Sequence, residues 1–197
     1  MTTQDTSIKV VLLGESAVGK TSIVNIINTG QFVPDVSPTV GACFQIKKVI
    51  QEGVVIRLNI WDTAGQERFR SLAPMFYRDA DFVVLVYAVN SQTSFDAINQ
   101  WYENLKYDCP VLPKVFLVAN KIDLEGERVI PASLGQQKAA EYGSFFYEVS
   151  AKTGKNEIIE LFDDIAKEAL KLSQTHSTPL KGKVENGTSN SESGCLC

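Results

Sequence analysis

Histidine is almost missing from this sequence: among 197 residues there is one, His176, in a polar stretch near the C-terminus. A histidine general base and a His-rich metal site both lack their residue, which excludes serine-type triads and zinc hydrolases. Cysteine is scarce as well. Cys43 and Cys109 stand alone, and Cys195 and Cys197 crowd the end of the chain, so no disulfide framework is expected and a reducing compartment fits. Positive charge is not in excess: the net charge of −4 argues against a nucleic-acid partner, which needs a basic surface. Long apolar runs are also missing, the run over 82–89 falling far short of a bilayer span. The first five residues carry neither a basic region nor an apolar stretch, so no leader is expected, and Thr2 in place of glycine excludes N-myristoylation. What remains to expect is a soluble, cytosolic body of one α/β domain with a tail.

Against these absences stands one motif, Gly14-Glu15-Ser16-Ala17-Val18-Gly19-Lys20-Thr21, a match to G-x-x-x-x-G-K-[ST]. It follows a β-branched run over 8–13 and precedes a helical pattern over 21–28, which Gly30 would stop. Gly14 and Gly19 permit a tight turn whose N–H groups point at phosphates near a helix N-terminus. Ser16, Ala17, Val18, Gly19 and Ser22 belong to that cradle. Lys20 is expected to reach the β- and γ-phosphates and the Thr21 hydroxyl to ligate Mg²⁺.

Residues 31–39 contain two prolines and no period, which predicts an irregular loop. Strands are expected over 42–51 and 54–62, joined by a hairpin turn at Glu52-Gly53. Beyond them the pattern predicts a helix over 66–77, a strand over 82–89, a helix over 94–107, a strand over 114–119, a helix over 132–142 and a strand over 145–149. A final amphipathic helix is expected over 156–172. The fold implied is a P-loop α/β domain: a six-stranded, mostly parallel sheet with one antiparallel edge strand and helices on both faces. The boundaries expected are a short flexible N-terminus over 1–7, the domain over 8–172 and a flexible tail over 173–197.

Each unusual motif directly follows a strand, where sites in such sheets lie. Asp62-Thr63-Ala64-Gly65-Gln66 offers a carboxylate to hold Mg²⁺ through water, a glycine whose N–H approaches a γ-phosphate, and an amide that orients an attacking water. Asn120-Lys121-Ile122-Asp123 offers Asp123 to the N1–H and N2 amino group of guanine, two donors that adenine lacks on that edge. Lys121 would pack its stem over the base and Asn120 would brace the loops, although these four residues alone also suit an ordinary polar loop. Ser150-Ala151-Lys152 offers a backbone N–H to guanine O6. Phe32 suits either an edge-on contact with the base or a core contact. Thr39, after Pro38, is either a turn threonine or a second hydroxyl on Mg²⁺ that orders its loop when a γ-phosphate is present.

Together these motifs resemble the small GTPases of the Ras superfamily over residues 8–172. Residues 57–69 and Leu85-Val86-Tyr87 are similar to the Rab family, and Gly14 to Lys20, Pro38 to Phe44 and Ser71 to Met75 resemble its early-endosomal branch. The resemblance implies GTP hydrolysis with Gln66 and Lys20 as catalytic residues, bound GTP or GDP with Mg²⁺, and an effector-facing aromatic triad of Phe44, Trp61 and Phe76. It implies an exchange factor, a GTPase-activating protein, effectors, a prenylation escort and a GDP-dissociation inhibitor as partners of a monomer. Cys43, Phe76 and Asp79 depart from the family pattern, where small or acidic residues, tyrosine and glycine respectively are usual. Cys195-Leu196-Cys197 resembles the C-x-C ending that receives two geranylgeranyl groups, enough for stable anchoring to the cytoplasmic face of endosomal membranes. No arginine finger is evident; small GTPases turn over at roughly 10⁻⁴ s⁻¹ unaided and about 10⁵-fold faster with a supplied finger, so dependence on an activating protein is expected.

Overall fold

The computed structural model of the chain describes residues 6–34 and 36–176, apart from the side chains of 67–69 and 175–176. Cys195 and Cys197 lie outside the described residues.

Alternate residues of the first strand, Thr6–Leu13 (β1), serve two different cores because successive side chains leave a strand on opposite faces. Ile8, Val10 and Leu12 pack with Ile23 and Ile27 of helix Lys20–Thr29 (α1) and Ile158, Phe162 and Ile165 of helix Lys155–His176 (α5). Val11 and Leu13 pack with Ile98, Trp101 and Leu105 of helix Gln92–Asp108 (α3), Tyr77 of helix Pro74–Tyr77 (α2) and Ala139 of helix Ala132–Tyr142 (α4). The other strands are Ala42–Gln51 (β2), Val54–Thr63 (β3), Phe82–Ala88 (β4), Lys114–Asn120 (β5) and Phe145–Glu148 (β6). They form one sheet in the order β2-β3-β1-β4-β5-β6, parallel except for β2 at the edge. Every residue of β4 is buried, as a central strand covered on both faces requires.

Local chemistry fixes the joints. Glu52 and Gly53 both have positive φ, 50° and 79°, the turn that suits a two-residue hairpin. Gly30 ends α1 with φ 72°, its amide donating to Ile26. Ser91 caps α3 by accepting from the Ser94 amide at 3.2 Å.

Two expectations are corrected. The helix predicted over 66–77 is a 3-10 turn, Glu67–Leu72, followed by the single turn α2. Pro74 has no N–H to return to Arg70, so that carbonyl accepts from Ala73 instead, at 3.1 Å, and the segment tightens before it restarts. The last helix runs past Leu172 to His176, which carries that histidine out of the tail and into α5; the Ser173 hydroxyl donates back to Leu170 there at 2.7 Å.

Candidate functional site

The carboxyl ends of β1, β3 and β5 and the loop after β6 open on one side of the sheet, and a cleft of about 550 Å³ lies there. Its walls carry Ser16, Ala17, Gly19, Lys20, Thr21, Ser22, Phe32, Thr39, Gly65, Gln66, Asn120, Lys121, Asp123, Ala151 and Lys152. Residues as distant in sequence as Ser16 and Lys152 thus meet in one place, because the motifs that carry them follow strand ends or open a helix. Val18, Ser150 and Asp62 are expected site residues that do not line the cleft. Val18 turns its side chain into the core beside α1, Ser150 works from behind Asp123, and Asp62 sits beneath the threonines.

The loop from Gly14 to Gly19 keeps its backbone close to its neighbours. A Cβ on Gly14 would lie 2.1 Å from the Val86 carbonyl and one on Gly19 2.3 Å from Asn120 Nδ2. Ala17 and Gly19 have φ of 62° and 96°, a curled backbone that turns N–H groups inward ahead of the α1 N-terminus. Lys20 Nζ donates to the Gly14 and Glu15 carbonyls at 2.9 and 2.8 Å. Only 5% of Lys20 is exposed, and burial pulls its pKa down to about 8 against the opposing pull of Asp62 and Glu15.

Below the cleft three oxygens converge. Thr21 Oγ1 lies 2.9 Å from Thr39 Oγ1 and donates to Asp62 Oδ2 at 2.7 Å, and the Thr39 hydroxyl reaches the same oxygen at 3.4 Å. Asp62 is 1% exposed, its Oδ1 is buried with no hydrogen-bond partner, and burial raises its pKa above the usual carboxylate range, opposed by Thr21, Lys20 and Thr39. An orphaned carboxylate oxygen beside two hydroxyls is a hard-oxygen set that suits Mg²⁺. A cation there would relieve Asp62, and an anion above would relieve Lys20. Gly65 has no room for a side chain: its Cβ would meet the Glu15 carbonyl at 2.4 Å and Lys20 Nζ at 2.5 Å.

At the other end of the cleft, Asn120 Nδ2 donates to the Val18 carbonyl at 2.8 Å while Asn120 Oδ1 accepts from the Ala151 amide at 3.1 Å. Ser150 Oγ donates to Asp123 Oδ1 at 2.6 Å and accepts from the Lys152 and Thr153 amides. The Lys121 backbone is left-handed, φ 69°.

The Ras family's sequence model matches residues 9–171. Among curated relatives, Ras-related protein RABG3f of Arabidopsis thaliana is 41% identical over 98% of this chain and 97% of its own length. The chain belongs to the Rab family of small GTPases. Further relatives are Ras-related protein Rab7 of Pisum sativum, also 41% identical over 98% and 97%, and Ras-related protein Rab-5A of Dictyostelium discoideum, 39% identical over 95% and 94%. As a Rab GTPase the chain is a GTP hydrolase, and membership brings regulators and effectors in general terms. No helix among the described residues of this Rab protein is long and apolar enough to cross a membrane.

Sequence reasoning missed several cleft residues. Thr63 is hidden in the strand, its hydroxyl donating to Leu12 at 2.6 Å; Val33, Val36, Ser37 and Pro38 come from the aperiodic proline loop, and Leu124 follows Asp123. Thr63, Pro38 and Leu124 had a signal, the first lying inside a motif and the other two beside singled-out residues. Two of the departures, Asp79 and Phe76, find partners too. Asp79 is ion-paired with Lys9, which lowers its pKa, and Lys9 Nζ lies 5.4 Å over the Trp61 ring. Phe44, Trp61 and Phe76 form a contiguous row with ring centroids 5.0 and 5.7 Å apart, and Phe44 is half exposed.

Proposed function

We propose that this Rab GTPase is a GTP/GDP switch of the endocytic route, held on membranes by two geranylgeranyl groups on Cys195 and Cys197. The observation that carries the nucleotide chemistry is the buried Lys20–Asp62 neighbourhood, two groups of opposite sign whose pKa values burial moves in opposite directions. Phosphate above and Mg²⁺ below would complete both.

In this reading Lys20, Ser16 to Gly19 and the amides opening α1 bind the phosphates, with Ser22 beside them. Thr21 and Thr39 would hold Mg²⁺, with Asp62 holding it through water, and the ion would supply positive charge against the phosphates. Gly65 reports the γ-phosphate through its N–H, for which its bare Cα leaves room. Gln66 orients a water whose oxygen bonds to the γ-phosphorus and whose proton passes to the released phosphate, as the bridging oxygen departs with GDP. Lys20 stabilises the charge that grows on that leaving group. Asp123 accepts from guanine N1–H and the N2 amino group, Lys121 and Phe32 flank the base, and Ser150, Ala151 and Lys152 close its O6 side. The row Phe44, Trp61 and Phe76 receives effectors. An exchange factor, an activating protein, a prenylation escort and a GDP-dissociation inhibitor serve the cycle.

Chromatography of the nucleotide released from denatured protein, followed by single-turnover hydrolysis of reloaded GTP, tests this. Bound GDP and slow conversion of GTP that Gln66→Leu abolishes without loss of binding are expected. Adenine nucleotide, or a Gln66→Leu rate equal to wild type, would overturn the assignment.

A further inference from the structure

Glu15 faces two ways. Its backbone carbonyl takes a hydrogen bond from Lys20 and limits the space at Gly65. Its carboxylate reaches outward to an ion pair with Arg70 and accepts the indole N–H of Trp101 at 3.3 Å. The Arg70 guanidinium, in turn, lies 5.2 Å from the centre of the Trp101 ring. Trp101 is buried in the α3 core, 2% exposed, so it is a fixed floor. An ion pair between two exposed side chains contributes little; this one is only partly exposed, shares its carboxylate with a buried donor and stacks its cation on a ring, each of which strengthens it.

The segment so held has weak means of holding itself. Glu67–Leu72 is a 3-10 turn whose preceding residue, Gln66, makes no side-chain cap, and 3-10 hydrogen bonds are poorly aligned. Pro74 cuts it off from the next helix. Gln66 leads directly into this turn, so what holds the turn bears on where Gln66 sits. Arg70 lies within that turn, a short step past Gln66.

We infer that Arg70, clasped between the Glu15 carboxylate and the Trp101 ring, is a positioning residue that sets Gln66 for hydrolysis. This rests on the proposed role of Gln66. The clasp ties the phosphate loop to the segment that must be ordered for hydrolysis, without touching nucleotide. Removing it lowers the fraction of time the turn is in order: an unclasped turn ordered roughly one-fifth of the time would slow hydrolysis about fivefold.

The test is single-turnover GTP hydrolysis by the full chain with Mg²⁺, beside release rates of GDP and GTP, for wild type, Arg70→Ala, Glu15→Gln and the double variant. Expected are a roughly fivefold slower hydrolysis in each single variant, nucleotide release from Arg70→Ala within about twofold of wild type, and no further slowing in the double. A purely structural role would shift release and hydrolysis together, and would overturn the proposal. So would hydrolysis by Arg70→Ala at the wild-type rate, or effects of the two changes that multiply. A wild-type protein whose hydrolysis does not depend on Gln66 would instead remove the reading beneath it.

Discussion

Replacing Lys20 by methionine should abolish nucleotide binding and yet make the nucleotide-free protein more stable at neutral pH. In the folded state Lys20 has a pKa of about 8, against 10.5 for the ordinary side chain. The difference corresponds to about 3 kcal/mol lost by burying the ammonium without an anion beside it. Methionine forgoes the hydrogen bonds to the Gly14 and Glu15 carbonyls, at about 1 kcal/mol each, so a net gain of about 1 kcal/mol remains at pH 7. The pH dependence gives the argument its sign. Above pH 8 the folded protein releases the Lys20 proton while the unfolded chain keeps it to about 10.5, so unfolded protein binds more protons and wild-type stability rises with pH. Between about pH 8 and 9.5 that rise is about 2 kcal/mol, and the order of stabilities reverses. Urea denaturation of both nucleotide-free proteins at about pH 7 and about pH 9.5 reads this directly. Parallel pH dependences in wild type and variant would refute it, since the variant removes the Lys20 titration itself.

Three further outcomes are expected. Gly19→Ala places a Cβ 2.3 Å from Asn120 Nδ2 at φ 96°, and should speed release of a fluorescent guanine nucleotide by about tenfold or more, a cost of about 1.4 kcal/mol or above. Chelation of Mg²⁺ should stop hydrolysis and hasten nucleotide release while circular dichroism stays unchanged, since Thr21, Thr39 and Asp62 hydrogen-bond one another without a metal. Serine at both Cys195 and Cys197 should leave the protein in the soluble fraction of fractionated cells; persistent membrane association would point to another anchor.

Strands β1, β3, β5 and β6 were legible because their runs end at or just before motif residues, β4 as an unbroken apolar run and β2 from the hairpin turn, and the parallel order followed from the alternation of strand and helix. Contacts between distant side chains were not legible. Arg70 and Trp101 lie 55 and 86 residues from Glu15, and no local period announces that they share a carboxylate. Val18 shows a different limit: its place in the phosphate loop is plain in the motif, but only the loop's curl decides that its side chain leaves for the core while its carbonyl serves Asn120. The break before Pro74 was readable in principle, since proline lacks the N–H that a continuous helix needs.

Asn120 joins the loop that would cradle phosphate to the loop that would face the base, with one amide bonded to both. Neither end of a bound nucleotide would then be loosened alone, because a shift of the phosphate loop would pull on the Val18 carbonyl and so on Asn120, which heads the stretch carrying Lys121 and Asp123. A partner that pries at one end of the cleft would weaken the hold at the other, and discharge of the ligand becomes a single cooperative event.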